Sequence, residues 1–269
     1  MFAFETRYAG FVDNTRQLKN AFGYSLDTLA LIEPVLQGLH QIWWRVAVRG
    51  FENLPKQGPA LVAGNSSGVI PWVGLMLIYT LMGKVENPRR INVLIEMSDI
   101  EDQRLYNFLC ELGFVPWSAD NAKRLFSQGE LVAIFPEGQA GLAKLFSMRN
   151  RVAEFDWTKF LPAVEQKVPI FPLATLGCDE SNPILFNFEA MAKFLGLKAF
   201  PVTPFFPLLP FPLNLATLPI PWEMTVLSNN HYQTVTAREE LQRIAKEQAF
   251  LVEGDVQAEI NRRLRFRHR

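Results

Sequence analysis

Leu131-Val132-Ala133-Ile134-Phe135-Pro136-Glu137-Gly138 runs four aliphatic residues into an aromatic ring, a proline, a carboxylate and a glycine. A short unbroken apolar run is what a strand buried on both faces requires, and Pro-Glu-Gly closes it as a turn. Such a strand needs helices over both faces, and the flanking sequence supplies them. Toward the N-terminus, NAKRLFSQG (121–129) predicts a helix stopped by glycine, FVPW (114–117) a short strand and EDQRLYNFLCELG (101–113) another glycine-stopped helix. INVLIEM (91–97) predicts a strand, IPWVGLMLIYTLM (70–82) a mostly apolar helix and ALVAGN (60–65) a buried strand. Residues 25–48 predict an amphipathic helix interrupted at Pro34 that runs into a strand, with GFENLPKQGP (50–59) as a polar turn.

Toward the C-terminus, VPIFPLATLG (168–177) predicts a strand, ILFNFEAMAKFLGL (184–197) a helix and EMTVLS (223–228) a late strand. A long charged helix is expected over about 237–265. Strands alternating with helices predict an α/β fold, a central mostly parallel or mixed sheet flanked by helices. Its expected parts are an N-terminal helical segment (1–45), the α/β core (46–230) and the C-terminal helix, all within a single domain (1–269). No repeat, linker or low-complexity tract divides the chain.

Composition excludes several functions. The 27 basic residues balance 27 acidic ones, so nucleic acid is not an expected partner, because its affinity rests on a concentrated basic face. Two cysteines (Cys110, Cys178) and three scattered histidines (His40, His231, His268) build neither a disulfide framework nor a metal centre, so no metal is expected. The start, MFAFETRYAGF, lacks the apolar core of a secretory signal. Residues 57–83 and 199–222 carry no charge, but the first contains Gly64-Asn65-Ser66-Ser67-Gly68 and Pro71, and the second seven prolines. Neither predicts a membrane-spanning helix. The expected location is cytoplasmic, peripheral to the inner face of the membrane.

Glu137 emerges at the C-terminal end of a buried strand, where ligands of α/β sheets bind, with Lys144 and Arg149 shortly after. Taken in order, GFENLP, ALVAGNSSGVIPWVG, NAKRLFSQGELVAIFPEG and VPIFPLATLG resemble the PlsC-like glycerolipid acyltransferase family, over about residues 40–230. GLAKLFSMRNR after the turn and FPVTPFFPLLPFPL (200–213) are similar to its bacterial branch. That resemblance implies acceptor binding by Phe135, Pro136, Glu137 and Gly138, with Lys144 and Arg149 as candidate phosphate contacts. It also implies a histidine base, oriented by an aspartate, that takes the proton of the acceptor hydroxyl as it attacks an acyl thioester. Here Ser66 holds the histidine position. Val73 holds the aspartate position of the Pro-aromatic variant, and the commoner spacing puts it at Pro71. No Asp, Glu, His or Lys lies between Gln57 and Gly83, so the expected catalytic pair is not intact.

Three readings follow. The first is a pseudoenzyme that binds lipid or fatty acyl groups at a membrane surface. The second is a working acyltransferase with a base from elsewhere, such as His40 or His231, taking acyl-CoA or acyl carrier protein as donor and no cofactor. The third is a non-catalytic scaffold with protein partners. The segment 198–222 has two readings of its own, as a buried loop over the sheet or as membrane or acyl-chain contact through Phe205, Phe206, Leu208, Leu209, Phe211, Leu213 and Trp222. The terminal NRRLRFRHR, with five arginines, reads as a solvated helix end or an anionic-lipid contact.

Overall fold

The computed structural model describes residues 2–16, 22–98, 100–188, 190, 200–205, 216–229 and 238–267. Phe206, Leu208, Leu209, Phe211, Leu213 and His231 lie outside them. Strands β1 (Ala47–Arg49), β2 (Ala60–Gly64), β3 (Ile91–Ile95), β4 (Phe114–Pro116), β5 (Leu131–Ile134), β6 (Ile170–Leu176) and β9 (Glu223–Val226) make one seven-stranded sheet in the order β1-β9-β6-β2-β5-β3-β4. Neighbours are parallel except β6 with β9, so the sheet is mostly parallel.

Alternation along the central strands decides the two cores. On β2, Ala60 and Val62 face one way, with α1 (Phe2–Arg16), α2 (Leu26–Gly38) and α3 (Trp72–Tyr79). Leu61 and Ala63 face the other way, with α5 (Ala119–Ser127), α7 (Leu161–Glu165) and the C-terminal helix α9 (Arg238–Arg267). Helix α4 (Gln103–Glu111) starts on Asp102, whose carboxylate accepts from Arg104 N and Leu105 N. On α9 the buried Ile244, Ala245, Ala249, Val252, Val256 and Ile260 recur at helical spacing, one stripe laid on the sheet.

Two expectations are corrected. Helix α2 is not interrupted at Pro34. It continues through that residue into a π turn at Leu39–Trp43. Pro34 is exposed, so water can meet the carbonyl that lacks its usual N–H. The helix expected over 184–197 begins as a strand instead. β7 (Phe186–Asn187) pairs antiparallel with β8 (Pro201–Val202), with Leu185 N donating to Val202 O at 2.8 Å and Phe188 N to Phe200 O at 2.9 Å. Long-range pairing outweighs local helical spacing there. Residues 191–199 of that segment lie outside the described residues.

His40 is buried beside the π turn Thr80–Lys84 that ends α3, 3.2 Å from Thr80 Oγ1 and edge-on to Tyr79. Burial, assisted by the Lys84 charge, pushes its pKa from 6.5 down to about 4. The fold therefore holds a neutral imidazole where the unfolded chain takes up a proton. This contribution to stability is complete above about pH 6.5 and falls as pH drops to about 4, by up to about 3 kcal/mol. Urea denaturation across that range is expected to show the stability of the natural chain falling by that amount relative to His40→Gln.

Candidate functional site

Strands β5, β2 and β6 lie side by side and parallel, so their C-terminal ends deliver three loops to one edge of the sheet. β2 ends into Asn65-Ser66-Ser67, β5 into Phe135-Pro136-Glu137 and β6 into Gly177-Cys178-Asp179. The middle loop carries its carboxylate inward. Glu137 is 4% exposed, and Gly138 takes a left-handed φ of +57° that turns the chain behind it. Gly141, on α6 (Gly138–Leu142), has no room for a Cβ against the Glu137 side chain.

Glu137 uses both oxygens within the protein. Oε1 accepts from Ala153 N at 2.9 Å and from Lys144 Nζ at 3.3 Å, and Oε2 accepts from Ser66 N at 3.4 Å. Lys144 also donates to Asp179 Oδ2 at 3.4 Å, and that oxygen accepts from Asn150 N at 2.8 Å. Asp179 stands on the turn α8 (Cys178–Ser181), and its Oδ1 is buried without a partner. Two carboxylates thus share one ammonium out of contact with water. Burial pushes the Glu137 carboxyl up to about 7, against the pull of Lys144 and two backbone N–H donors. Burial also works to lower the Lys144 pKa, but Asp179 and Glu137 outweigh it and hold the lysine charged. The native state keeps a proton on Glu137 that the unfolded chain has released. This contribution to stability is complete below about pH 4.5 and lost as pH rises through about 7.

Asn65 locks the first loop to the third strand. Its Nδ2 donates to Thr175 O at 2.9 Å while its Oδ1 accepts from Thr175 N at 2.8 Å, extending the ladder by a side chain. Ser66 follows at 8% exposure. Val73 is 1% exposed inside α3, packed into the core, whereas Pro71 is the uncapped N-cap of that helix. His40 stands at the other end of α3, about 12 Å along the helix, and does not serve the Ser66 loop. Cys178 is buried and its pKa is pushed well up, chiefly by burial, so it remains a thiol.

Ser66, Glu137 and Lys144 are therefore brought together, and Arg149 is not. Its guanidinium is exposed, bonded to Phe146 O and lying over the Phe146 ring. Lys144 is engaged by two carboxylates, so no side of it is turned to solvent for a phosphate. Trp222 is corrected from membrane contact to core. It is fully buried, stacked on Trp44 at 4.3 Å, and donates to Ser181 Oγ at 3.0 Å. Phe205 is half-buried beyond β8. Beside the Ser66 loop a shallow cleft, with room for about one water molecule, runs between Gly68–Trp72 and Asn182–Ile184. Trp72 Nε1 is buried away from the surface without a hydrogen-bond partner.

The sequence reading missed Asp179 and the contribution of α9. Asp179 had a signal, since it ends a buried strand as Glu137 does. Behind the site, Gln257 Oε1 accepts from Val152 N at 2.8 Å, its Nε2 donates to Asn150 O at 3.0 Å, and Glu253 accepts from Phe155 N at 2.9 Å. Arg267 pairs with Glu180 at 2.6 Å, and Arg263 pairs with Glu223. These two tail arginines brace the fold rather than stand free in solvent. Gln257→Ala is expected to cost about 1–2 kcal/mol. Hydrogen exchange should show the Val152 and Ala153 amides opening faster, with the central strands still protected.

A family model described as Acyltransferase matches residues 45–176. An uncharacterized protein of Mycobacterium tuberculosis is 35% identical over 196 residues, 72% of this chain and 54% of that protein. Another, of Mycobacterium leprae, is 36% identical over 196 residues, 72% of this chain and 53% of that protein. The chain thus spans about half the length of these curated relatives. The crystal structure of the 1-acyl-sn-glycerophosphate acyltransferase PlsC from Thermotoga maritima aligns with a TM-score of 0.46 and 17% identity, covering 93% of this chain and 89% of that one.

Proposed function

We propose, from the acyltransferase family model that matches residues 45–176, that this chain is a pseudoenzyme of that family that binds a lysophospholipid, phospholipid or fatty acyl group at a membrane surface. The observation that carries this reading is the Ser66 loop. It is held in place by Asn65 and Glu137 as a working loop would be, yet it presents a serine where a base is needed. Serine does not titrate near neutrality and cannot replace an imidazole. Among the described residues, the titratable groups bonded to this loop are Glu137, which meets the Ser66 backbone N–H, and Cys178, whose Sγ meets Asn65 Nδ2 at 3.6 Å. The shallow cleft beside the loop has mostly apolar walls, Val69, Ile70, Trp72, Pro183 and Ile184, a surface against which an acyl chain can lie.

Mass spectrometry of protein purified without detergent, together with titration by lysophospholipids and fatty acids, tests the reading. A bound lipid and no acyl transfer from acyl-CoA or acyl carrier protein are expected. Absence of any lipid in both measurements overturns it. One observation favours a working acyltransferase instead, the Glu137 carboxyl poised near 7 beside the loop. That reading predicts turnover with a titration near neutrality that Glu137→Gln abolishes.

A further inference from the structure

The cluster behind the Ser66 loop is never positive. Lys144 is its cation, and Glu137 and Asp179 both bond to that ammonium out of contact with water. With Glu137 ionised the three groups sum to one negative charge, and with Glu137 protonated they sum to zero. One layer further out, Glu180 accepts from Asn150 Nδ2 at 3.2 Å and pairs with Arg267 at 2.6 Å, which leaves that pair neutral as well. The cleft beside the loop adds no charge. Its walls come from residues 68–72, 182–184, 203 and 216, and the stretches to which these belong, 57–83, 181–188 and 199–222, contain no Asp, Glu, Lys or Arg. The polar side chains on the wall are the uncharged Asn182 and Thr203.

What the site does offer is acceptor oxygen. Helix α8 carries Asp179 and ends at Asn182. Asp179 is 5% exposed, and while its Oδ2 takes Lys144 and Asn150 N, its Oδ1 is buried without a donor. Asn182 Nδ2 donates to Cys178 O at 2.9 Å and to Ser181 Oγ at 3.2 Å, and among the described residues nothing donates to its Oδ1. Acceptors left without donors in a sheltered place are costly, and O–H or N–H groups of a ligand supply what is missing. A phosphate monoester brings the opposite at neutral pH, further acceptor oxygens and a charge near minus two.

We infer that the lipid held here has a headgroup of no net charge that donates hydrogen bonds, through hydroxyls or through an ammonium balanced by its own phosphate, and that phosphate monoesters are excluded. This rests on the ligand reading above and names the class of headgroup. Coulomb repulsion from a buried surplus carboxylate is screened little by salt, so it acts on any anion brought to the loop. The two cations nearest in sequence do not offset it, since Lys144 is engaged by carboxylates and Arg149 lies over the Phe146 ring.

Calorimetric titration of the full chain with three short-chain lipids below their micelle concentrations tests this. Monoacylglycerol, lysophosphatidylethanolamine and lysophosphatidate with one acyl chain in common are the probes. One or both of the first two should bind at least about tenfold more tightly than lysophosphatidate. Monoacylglycerol alone identifies the hydroxyl as the donor, and lysophosphatidylethanolamine alone identifies the ammonium. In Asp179→Asn the surplus carboxylate is gone, and the preference should shrink about fivefold. Should that variant not fold, Val69→Lys decides, because Val69 is 46% exposed on the cleft wall and a lysine there sets a cation beside the headgroup. It too should shrink the preference about fivefold. Lysophosphatidate bound as tightly as the uncharged lipids overturns the inference and leaves the ligand reading standing. A preference unchanged in the folded variant also overturns it. Binding of none of the three overturns the ligand reading itself, and this inference with it.

Discussion

Ser66→His combined with Pro71→Asp is expected to produce acyl transfer to a lysophospholipid at about 10²–10⁴ times the rate of the natural chain. Ser66→His combined with Val73→Asp is expected to lose the fold instead. Sequence spacing permits either acid, and packing separates them. Val73 is 1% exposed among the core residues of α3, so a carboxylate there is buried without a partner, at a cost of about 3–5 kcal/mol. Pro71 is half-buried at the N-cap of the same helix, with no side-chain cap bond. An aspartate at an N-cap accepts from the first-turn N–H groups and is worth about 1 kcal/mol. From there it also stands on the loop that carries residue 66. The measurement is transfer of labelled acyl groups from acyl-CoA and acyl carrier protein, beside thermal unfolding of each variant. A folded, lipid-loaded Ser66→His/Pro71→Asp protein without turnover counts against a retired acyl-transfer site. Robust turnover by the natural chain sinks the pseudoenzyme reading.

Lys144→Met is the second large effect. Methionine fills a similar volume but leaves Glu137 and Asp179 buried together with no cation between them. Removing one partner from a buried ionic cluster costs about 3–5 kcal/mol, which is roughly 10 °C in Tm for a domain of this size. The loss should depend on pH. Without the ammonium, Glu137 loses the pull that opposes its burial and holds its proton to higher pH still. The deficit is then small near pH 4 and grows as pH rises toward 8. Asp179→Asn added to Lys144→Met should recover part of the loss at pH 8, since one buried charge is gone and Asn150 N still meets an oxygen. Denaturation of both variants at several pH values checks this. A deficit that does not change with pH would mean the cluster acts through shape rather than charge.

Much of the site was legible because it is local. Phe135, Pro136, Glu137 and Gly138 form one turn at the end of one strand, and Ser66 is identified within a single loop. Asp179 was not, because its importance comes from β6 lying next to β2, which brings α8 beside Lys144. Arg149 was expected with Lys144 from proximity along the chain, but the turn at Phe146–Met148 sends its guanidinium out to solvent. Trp222 was grouped with its proline-rich neighbours by composition. Its burial follows from the stacking of Trp44, a residue far away in the chain.

By itself the amino-acid sequence determined the alternation of strands and helices, since runs of apolar residues and helical spacing depend on the chain's own covalent order. It also determined that no imidazole stands at position 66, because a residue's chemistry is set by its identity. The tertiary structure decided which carboxylates share Lys144, and that Val73 is core while Pro71 is a helix cap. Those facts depend on which elements become neighbours. Burial and charge pairing are set by atoms brought in from distant parts of the chain, and no local pattern encodes them.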